Sequence, residues 1–476
     1  MRRVWPSLLA FCLVATACSG DRPTFDDSAA REVEPLDEAS APTDAVSVRL
    51  ALPDGFSMDP VDAGPASVAN RVVADLLYER LVRVEDGTAV PALADRWFVD
   101  EARTTWTFVL GSDLADNDGE PLTARDMKLS LERVAAAGPA NQHALALTTI
   151  TGWSAHMAGT TGGVAGLSAP DDTTLVVRLD EPFEPLLDVL ADPAFGITGL
   201  GDDGLLRTTG PYARGEDPSR LEAVGTESRV AEVELVTDAD GPLAVMAAGA
   251  ADWAVIDTGA PSDGLDADII RLPLELELAM VSRLDDEDER LGVMSALEPL
   301  LLAGAVGGLT ARATAVPTSA GEPPEAVLVD IPAGDLEDIG VAVADQLVAA
   351  GIEAAAIPSE RAVFATRVAD GDAVMFPVVI ADGLSGLLQL AAPGATDDVF
   401  GPESAARSEL ATAVRAEFDP EQRALFVSAL ERALIEDGLL LPIGRYEVRV
   451  AIGSRLDGLR HRADGTLDLS RVELAG

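Results

Sequence analysis

The chain has 476 residues, too many for one small core, and 48% of them are hydrophobic, enough apolar material to fill two or three lobes. The 81 acidic residues outnumber the 34 basic ones and leave a formal net charge of −47. A surface this anionic repels nucleic acid and anionic lipid headgroups, and suits the outside of a cell or salty surroundings.

Arg2 and Arg3 precede a short apolar run, Leu8 to Val14, followed by the small residues Ala15, Thr16 and Ala17. This pattern is an export signal, too short to span a bilayer as a permanent helix. Small residues immediately before Cys18 resemble a lipobox. In bacterial lipoproteins the signal is cut before that cysteine, whose thiol carries a diacylglyceryl thioether. The resemblance implies a signal peptide over 1–17 and a protein held on the extracellular or periplasmic face of the cell membrane through the lipid on Cys18. Cutting also removes Cys12, the other cysteine, so no disulfide is expected. The alternative is an ordinary secreted protein cut nearby. Residues 18–44 are rich in Pro, Ser, Ala and acid, and read as a disordered tether.

Folded structure is expected from Val46, where Val46, Val48 and Leu50 alternate as in a strand. "TWTFVL" puts Trp106, Phe108 and Leu110 on one strand face, and "DNDGEP" is a turn. Thr123 with Asp126 three residues on resembles a capping box for a helix that buries Met127, Leu131 and Val134 and stops at Gly138. "TTLVVRL" (173–179) is a further strand, and "EPFEPLLDVLA" starts a helix with proline in its first turn. From 326 to 380 strand and helix alternate, the helix burying Leu336, Ile339, Val343 and Leu347 and stopping at Gly351. This is the pattern of a parallel sheet with right-handed crossovers. Asp419 caps a last helix with Pro420 at its first position and Phe426, Leu430 and Leu434 inside, and "GLLLPI" returns as the final strand. No fixed-period repeat is present, which argues against a solenoid or propeller.

Enzyme signatures are missing: there is no G-x-S-x-G elbow, no phosphate-binding G-x-x-x-x-G-K-[ST] loop and no H-E-x-x-H. His143, His156 and His461 are the three histidines and read as separate residues rather than a metal site. "LDDEDER" (284–290) lacks the spacing of a calcium loop. Neither a metal nor a cofactor is expected. Lysine is nearly absent (Lys128), and no basic patch with interleaved aromatics invites nucleic acid.

The segment 77–134 resembles family 5 of the extracellular solute-binding proteins, the oligopeptide, dipeptide and nickel receptors of ABC importers. The matching residues, in family order, are Tyr78 and Glu79; Pro91, Leu93, Ala94 and Trp97; Phe108 and Leu110; then Asp118, Gly119, Pro121, Thr123, Ala124, Asp126 and Ser130. Weaker echoes follow: "SMDPVDA", "TTGPY" with Thr208 where the family has glycine, "LAVMAAGAADWAVI", and the closing "EFDPEQRALFVSALERALIEDGLLLPI". The resemblance spans roughly residues 46–476 and fades after 215.

The resemblance implies an α/β protein with the two-lobed periplasmic-binding-protein type II fold and an extra α+β subdomain in the N-terminal lobe. Lobe I would comprise 45–75, 195–272 and 439–476; the inserted subdomain 76–194; lobe II 273–438. It implies a monomeric, non-enzymatic substrate-binding component that closes over a small, peptide-like solute and docks on ABC permease subunits. Peptide-binding members carry W-x-A-D-Y near the end of lobe II; here Asp382 keeps the acidic place, with Val379 for Trp and Gly383 for Tyr. Asp382 can pair with a cationic amine or simply cap a turn. Met58, Trp153, Tyr212 and Trp253 are the other candidates for the cleft, each weighed against plain packing, whereas Tyr78 and Trp97 read as core. The poorly matched second lobe and the missing cleft aromatics motivate an alternative: a degenerate member serving as a cell-surface sensor or partner-binding lipoprotein without uptake. The lipobox is tested directly, because Cys18→Ser is expected to move the protein from the membrane to the soluble fraction on cell fractionation; a variant that stays with the membrane contradicts it.

Overall fold

Alternating apolar residues make β1 (Val46–Leu52), in which Val48, Leu50 and Leu52 are wholly buried. The structure is a computed structural model that describes residues 46–475 apart from 65–66, 86, 139–140, 201–205, 226–227, 257–261, 263, 306–308, 312–316, 318–320, 334–335, 370–371, 382–403, 418 and 463. The export signal, Cys18, the tether and Asp382 therefore lie outside the described residues.

Helix α1 (Val68–Leu77), capped by Ser67, covers the first strand. The chain then builds an antiparallel four-stranded sheet from β2 (Ala94–Val99), β3 (Thr105–Leu110), β4 (Leu167–Asp171) and β5 (Thr174–Arg178), in the order β2-β3-β5-β4. Against it packs α2 (Ala124–Ala136), whose Met127, Leu131 and Val134 are buried as its spacing predicts. The Thr123 amide and hydroxyl both donate to Asp126 Oδ2, at 2.9 and 2.7 Å, so the capping box is present. The proline-led segment gives only one short helix, α3 (Leu186–Leu190).

The main sheet resumes with β6 (Tyr212–Arg214), β7 (Arg220–Ala223), β8 (Val230–Thr237), β9 (Trp253–Ile256) and the long β10 (Ala267–Ser282). It continues with β11 (Leu309–Ala311), β12 (Ala326–Pro332), α4 (Glu337–Ala349), β13 (Glu353–Ser359) and β14 (Met375–Ala381). Two helices, α5 (Ala405–Ala416) and α6 (Pro420–Glu436), lead into the long β15 (Leu440–Gly453). As predicted, Ile339, Val343 and Leu347 of α4 are buried, and Asp419 accepts from the amides of Glu421 and Gln422 to cap α6.

Among the described residues these strands form one eleven-stranded sheet in the order β6-β7-β8-β1-β9-β15-β10-β14-β12-β13, with β11 beside β15. One core fills its first half, around Val48, Leu50, Val72, Leu77, Val233 and Trp253. A second fills the other half, around Leu278, Met280, Val329, Ile339, Val343 and Leu441. The core of the four-stranded sheet is continuous with Ala279, Phe376, Val414 and Leu430, so it meets the second half as well as the first.

Much of the signature seen in the sequence is the joint between this inserted sheet and the main one. Ser130 Oγ donates to Thr198 O (3.0 Å) and accepts from Thr198 N (2.9 Å). Asn117 Nδ2 donates to Thr208 Oγ1, Gly210 O and Tyr212 O, all within 3.2 Å. A Cβ on Gly210 would stand 2.6 Å from the Leu77 carbonyl carbon and Tyr78 nitrogen, which explains glycine in "TTGPY". Gly119 has φ +87°, the left-handed turn that "DNDG" requires.

The first half is tied shut by Asp252, whose side chain is 1% exposed and accepts from Arg49 N (2.8 Å), Arg49 Nη2 (2.8 Å), Arg455 Nε (2.8 Å) and Arg455 Nη2 (2.5 Å). Burial alone would raise its pKa, but the Arg455 and Arg49 hydrogen bonds win and hold it at about 2. A depressed carboxylate stabilises the fold above its unfolded pKa, and that contribution is lost as the pH falls from 3.8 through about 2. Asp252→Asn is expected to cost about 2 kcal/mol in chemical denaturation at pH 7, less than a fully buried pair because both arginines still touch water. The variant should also lose the wild-type drop in stability between pH 4 and pH 2; an unchanged acid profile contradicts this role.

Candidate functional site

Strands β10 and β15 run through both halves of the sheet and contribute buried residues to both cores. Their register holds from Ala267↔Gly453 to Pro273↔Glu447, then slips, so that Glu277 faces Arg445 and three residues, Leu274 to Leu276, stand against Tyr446. A bulge bends and twists a strand pair. Pro273, which gives no ladder hydrogen bond, sits at its edge.

The parallel strands on both sides aim their carboxyl ends at this crossover. In the first half β1 runs parallel to β8 and β9, and β9 ends at Ile256 opposite Arg449. In the second half β12, β13 and β14 are parallel, and β14 ends at Ala381 opposite Leu276. In open α/β sheets ligands bind outside the carboxyl ends of the strands, because loops and free backbone groups gather there.

The described side chains on the strands at this place are Val379, Tyr446, Glu277 and Arg445, and the loop after the carboxyl end of β1 carries Phe56 and Met58. Phe56 and Met58 lie on the loop after β1 and are half-buried against the first core. That loop is pinned: Asn70 Oδ1 accepts from Ser57 N (3.0 Å), Ser57 Oγ donates to Asp62 Oδ2 (2.7 Å), and Arg133 Nη2 pairs with Asp59 Oδ2 (2.6 Å). Val379 and Tyr446 are half-buried and pack against both cores. Glu277 is buried and Arg445 exposed. The arrangement offers an apolar floor, one phenol and charges of both signs, which suits a small amphipathic solute better than bond-breaking chemistry. No group of three or more His, Cys, Asp or Glu able to hold a metal occurs among the described residues.

Of the expected cleft residues, Met58 lies half-buried on the loop after β1, and Asp382 follows Ala381 in sequence, outside the described residues. The other three candidates are corrected. Trp153 is wholly buried and donates its indole N–H to Ala144 O (2.6 Å). Trp253 is wholly buried, its indole N–H given to His461 Nε2 (2.9 Å), while His461 Nδ1 bonds Gly465 O. Burial lowers the His461 pKa, consistent with a neutral ring accepting that bond. Tyr212 is buried with its hydroxyl on Val230 O (3.0 Å). Each polar tip is satisfied in the core, so packing explains all three. Tyr78 is core, as predicted; its hydroxyl accepts from Arg214 Nη2 (3.1 Å), and burial raises its pKa. Sequence reasoning missed Tyr446 and Glu277. The available clue was the apolar and charged alternation running on past "LLLPI" through Val450, a strand too long for one lobe.

Residues 88–226 match the family model "Bacterial extracellular solute-binding proteins, family 5 Middle". Among curated proteins, the "Probable deoxycholate-binding periplasmic protein YgiS" of Escherichia coli is 34% identical over 142 residues, 28% of this chain and 26% of that one. The "Periplasmic oligopeptide-binding protein OppA" of the same organism is 33% identical over 148 residues, 29% of this chain and 26% of its own. The matched stretch thus spans about a quarter of each relative's length. In shape the likeness is wider: "Clavulanic acid biosynthesis oligopeptide binding protein 2" superposes with TM-score 0.69 at 19% identity, over 91% of this chain and 96% of that one. Residues 88–226 thus carry the match to family 5 of the bacterial extracellular solute-binding proteins, and the fold of the chain is the two-lobed α/β fold of the solved structures it resembles.

Trp153→Phe is expected to lower stability by about 1–2 kcal/mol, the cost of leaving the buried Ala144 carbonyl unpaired, and to leave solute affinity unchanged in calorimetric titration. A loss of affinity with intact stability contradicts the packing role.

Proposed function

We propose that this protein is the lipid-anchored substrate-binding component of an ABC importer, closing two lobes over a peptide-like or similar small solute without changing it. The observation that carries the reading is the convergence of carboxyl strand ends from both sheet halves on the β10–β15 crossover, within a fold and family of binding proteins. A solute seated there touches both halves at once, so it binds the closed state better than the open one, which is what closing requires. The printed names of the relatives, oligopeptide-, dipeptide-, murein peptide- and nickel-binding proteins among them, support a small solute of this range. The anchor on Cys18 would keep the receptor beside its permease on the outer face of the membrane.

In this reading 45–75, 195–272 and 439–476 form lobe I, 76–194 its inserted subdomain and 273–438 lobe II. The separate cores of the two sheet halves support that division. Asp382, next in sequence after Ala381 of β14, takes the cationic end of the solute in this reading, with Met58, Phe56, Val379 and Tyr446 as apolar walls. The burial of Trp153, Trp253 and Tyr212 favours a second reading, a relative that keeps the fold but serves as a cell-surface sensor.

Mass spectrometry of small molecules released from the purified native protein tests the proposal. It is expected to find a peptide-like solute whose return raises the melting temperature, since a ligand of the native state stabilises it. Asp382→Ala should then weaken that solute by roughly 1.5–3 kcal/mol, the range for a charged hydrogen bond. No released solute and no thermal shift across a peptide library would contradict uptake and favour the sensor.

A further inference from the structure

The inserted subdomain grips the second lobe directly. Glu184 N donates to Arg415 O (2.8 Å), Arg103 Nη1 donates to Ala416 O (2.8 Å), Arg415 pairs with Glu181 (2.7 Å) and Arg423 with Asp188 (3.3 Å). Behind these, Phe183, Leu186 and Val189 share one buried cluster with Ala411, Val414, Leu430 and Leu434 of α5 and α6. This contact lies away from the β10–β15 crossover in sequence and joins the same two lobes by another route.

One member of the contact is out of place in a structural clamp. Glu184 Oε2 is buried with no hydrogen-bond partner among the described residues. An unpaired buried carboxylate oxygen is costly when charged, and a proton removes the charge. The groups facing it come from every side of the contact: Glu181 and Asp188 on its own segment, Arg103 from the β2–β3 turn, Arg415 and Glu417 at the end of α5, and Arg423 on α6. Burial pushes the Glu184 carboxyl up to about 7, with Arg423 and Arg103 pulling it down and Asp188 and Glu417 adding to the rise.

We propose that the contact of residues 183–190 with α5 and α6 is a proton-sensitive latch that holds the inserted subdomain to the second lobe, with Glu184 as its sensing group. It rests on the reading that the two lobes hinge over a solute. In the latched state Glu184 Oε2 is buried and the carboxyl takes up a proton; once the surfaces part, water solvates it and its pKa returns toward 4.5. Latching is therefore favoured in acid and weakens as the pH rises from 4.5 through about 7. The consequence is a receptor that holds its closed form in acidic surroundings and opens more readily in neutral ones.

Fluorescence energy transfer tests this in the full chain. Cys12→Ser and Cys18→Ser remove the native thiols, and dyes are placed at Thr161→Cys on the subdomain and Glu353→Cys on the second lobe, both exposed positions. Without solute, the latched-to-open ratio is expected to fall about five-fold from pH 6 to pH 8, less than the full linkage value because Glu184 is only half-buried. Glu184→Gln, a neutral isostere, should stay latched at both pH values. Arg423→Gln, which removes a cation that favours the charged form, should open more at pH 8 than the wild type. A flat wild-type response, or a Glu184→Gln protein that keeps the wild-type slope, overturns the latch. A retained pH response with no closure on adding the co-purified solute upholds the latch and contradicts the transport reading instead.

Discussion

Everything in this fold depends on two strands that cannot belong to one lobe. β10 and β15 pair along almost their whole length, yet their two ends are buried in different cores. One strand pair joins the halves, and its register shifts twice within a few residues, at Leu274–Leu276 opposite Tyr446 and again between Leu278 and Ala279. The hydrogen bonds lost there are few, and the bend gained is local, which is where the proposed hinge would act. The same place receives the carboxyl ends of the parallel strands, so the proposed hinge and the proposed solute site coincide.

The charge of the chain makes sense against this frame. Several arginines are spent on buried carboxylates or backbone carbonyls. Arg49 and Arg455 hold Asp252, Arg80 and Arg462 hold Asp75, Arg367 holds the buried Asp330, and Arg290 donates to the carbonyls of Leu284, Asp285 and Asp437. Buried ion pairs of this kind are weak evidence of net stability but strongly resist the loss of one partner. With these arginines engaged by carboxylates and 81 acidic against 34 basic residues, the exterior is acidic and repels anionic headgroups.

The fold was largely legible in the sequence where periodicity and capping chemistry are local. The Thr123–Asp126 box, the stripe of α4 and the Asp419–Pro420 start of α6 were each predicted from spacing alone, and each is present. The site was much less legible. Trp153, Trp253 and Tyr212 were plausible cleft residues because they are aromatic with polar tips, and nothing in the sequence reveals that a backbone carbonyl or a histidine already satisfies each tip. Tyr446 gains its position from a register slip between strands far apart in sequence, which no local pattern encodes. Ser130 of the matching segment, Asn117 beside that segment's Asp118 and Gly210 of the weaker "TTGPY" echo mark the joint of the inserted sheet.

The central claim is that the crossover is a hinge and that a solute closes it. Small-angle X-ray scattering of the protein with and without its co-purified solute measures this most directly. The account predicts a smaller radius of gyration when solute is bound, with the decrease abolished by excess competitor removal of the solute. An identical radius in both states, with binding independently established, would contradict a hinged two-lobed receptor.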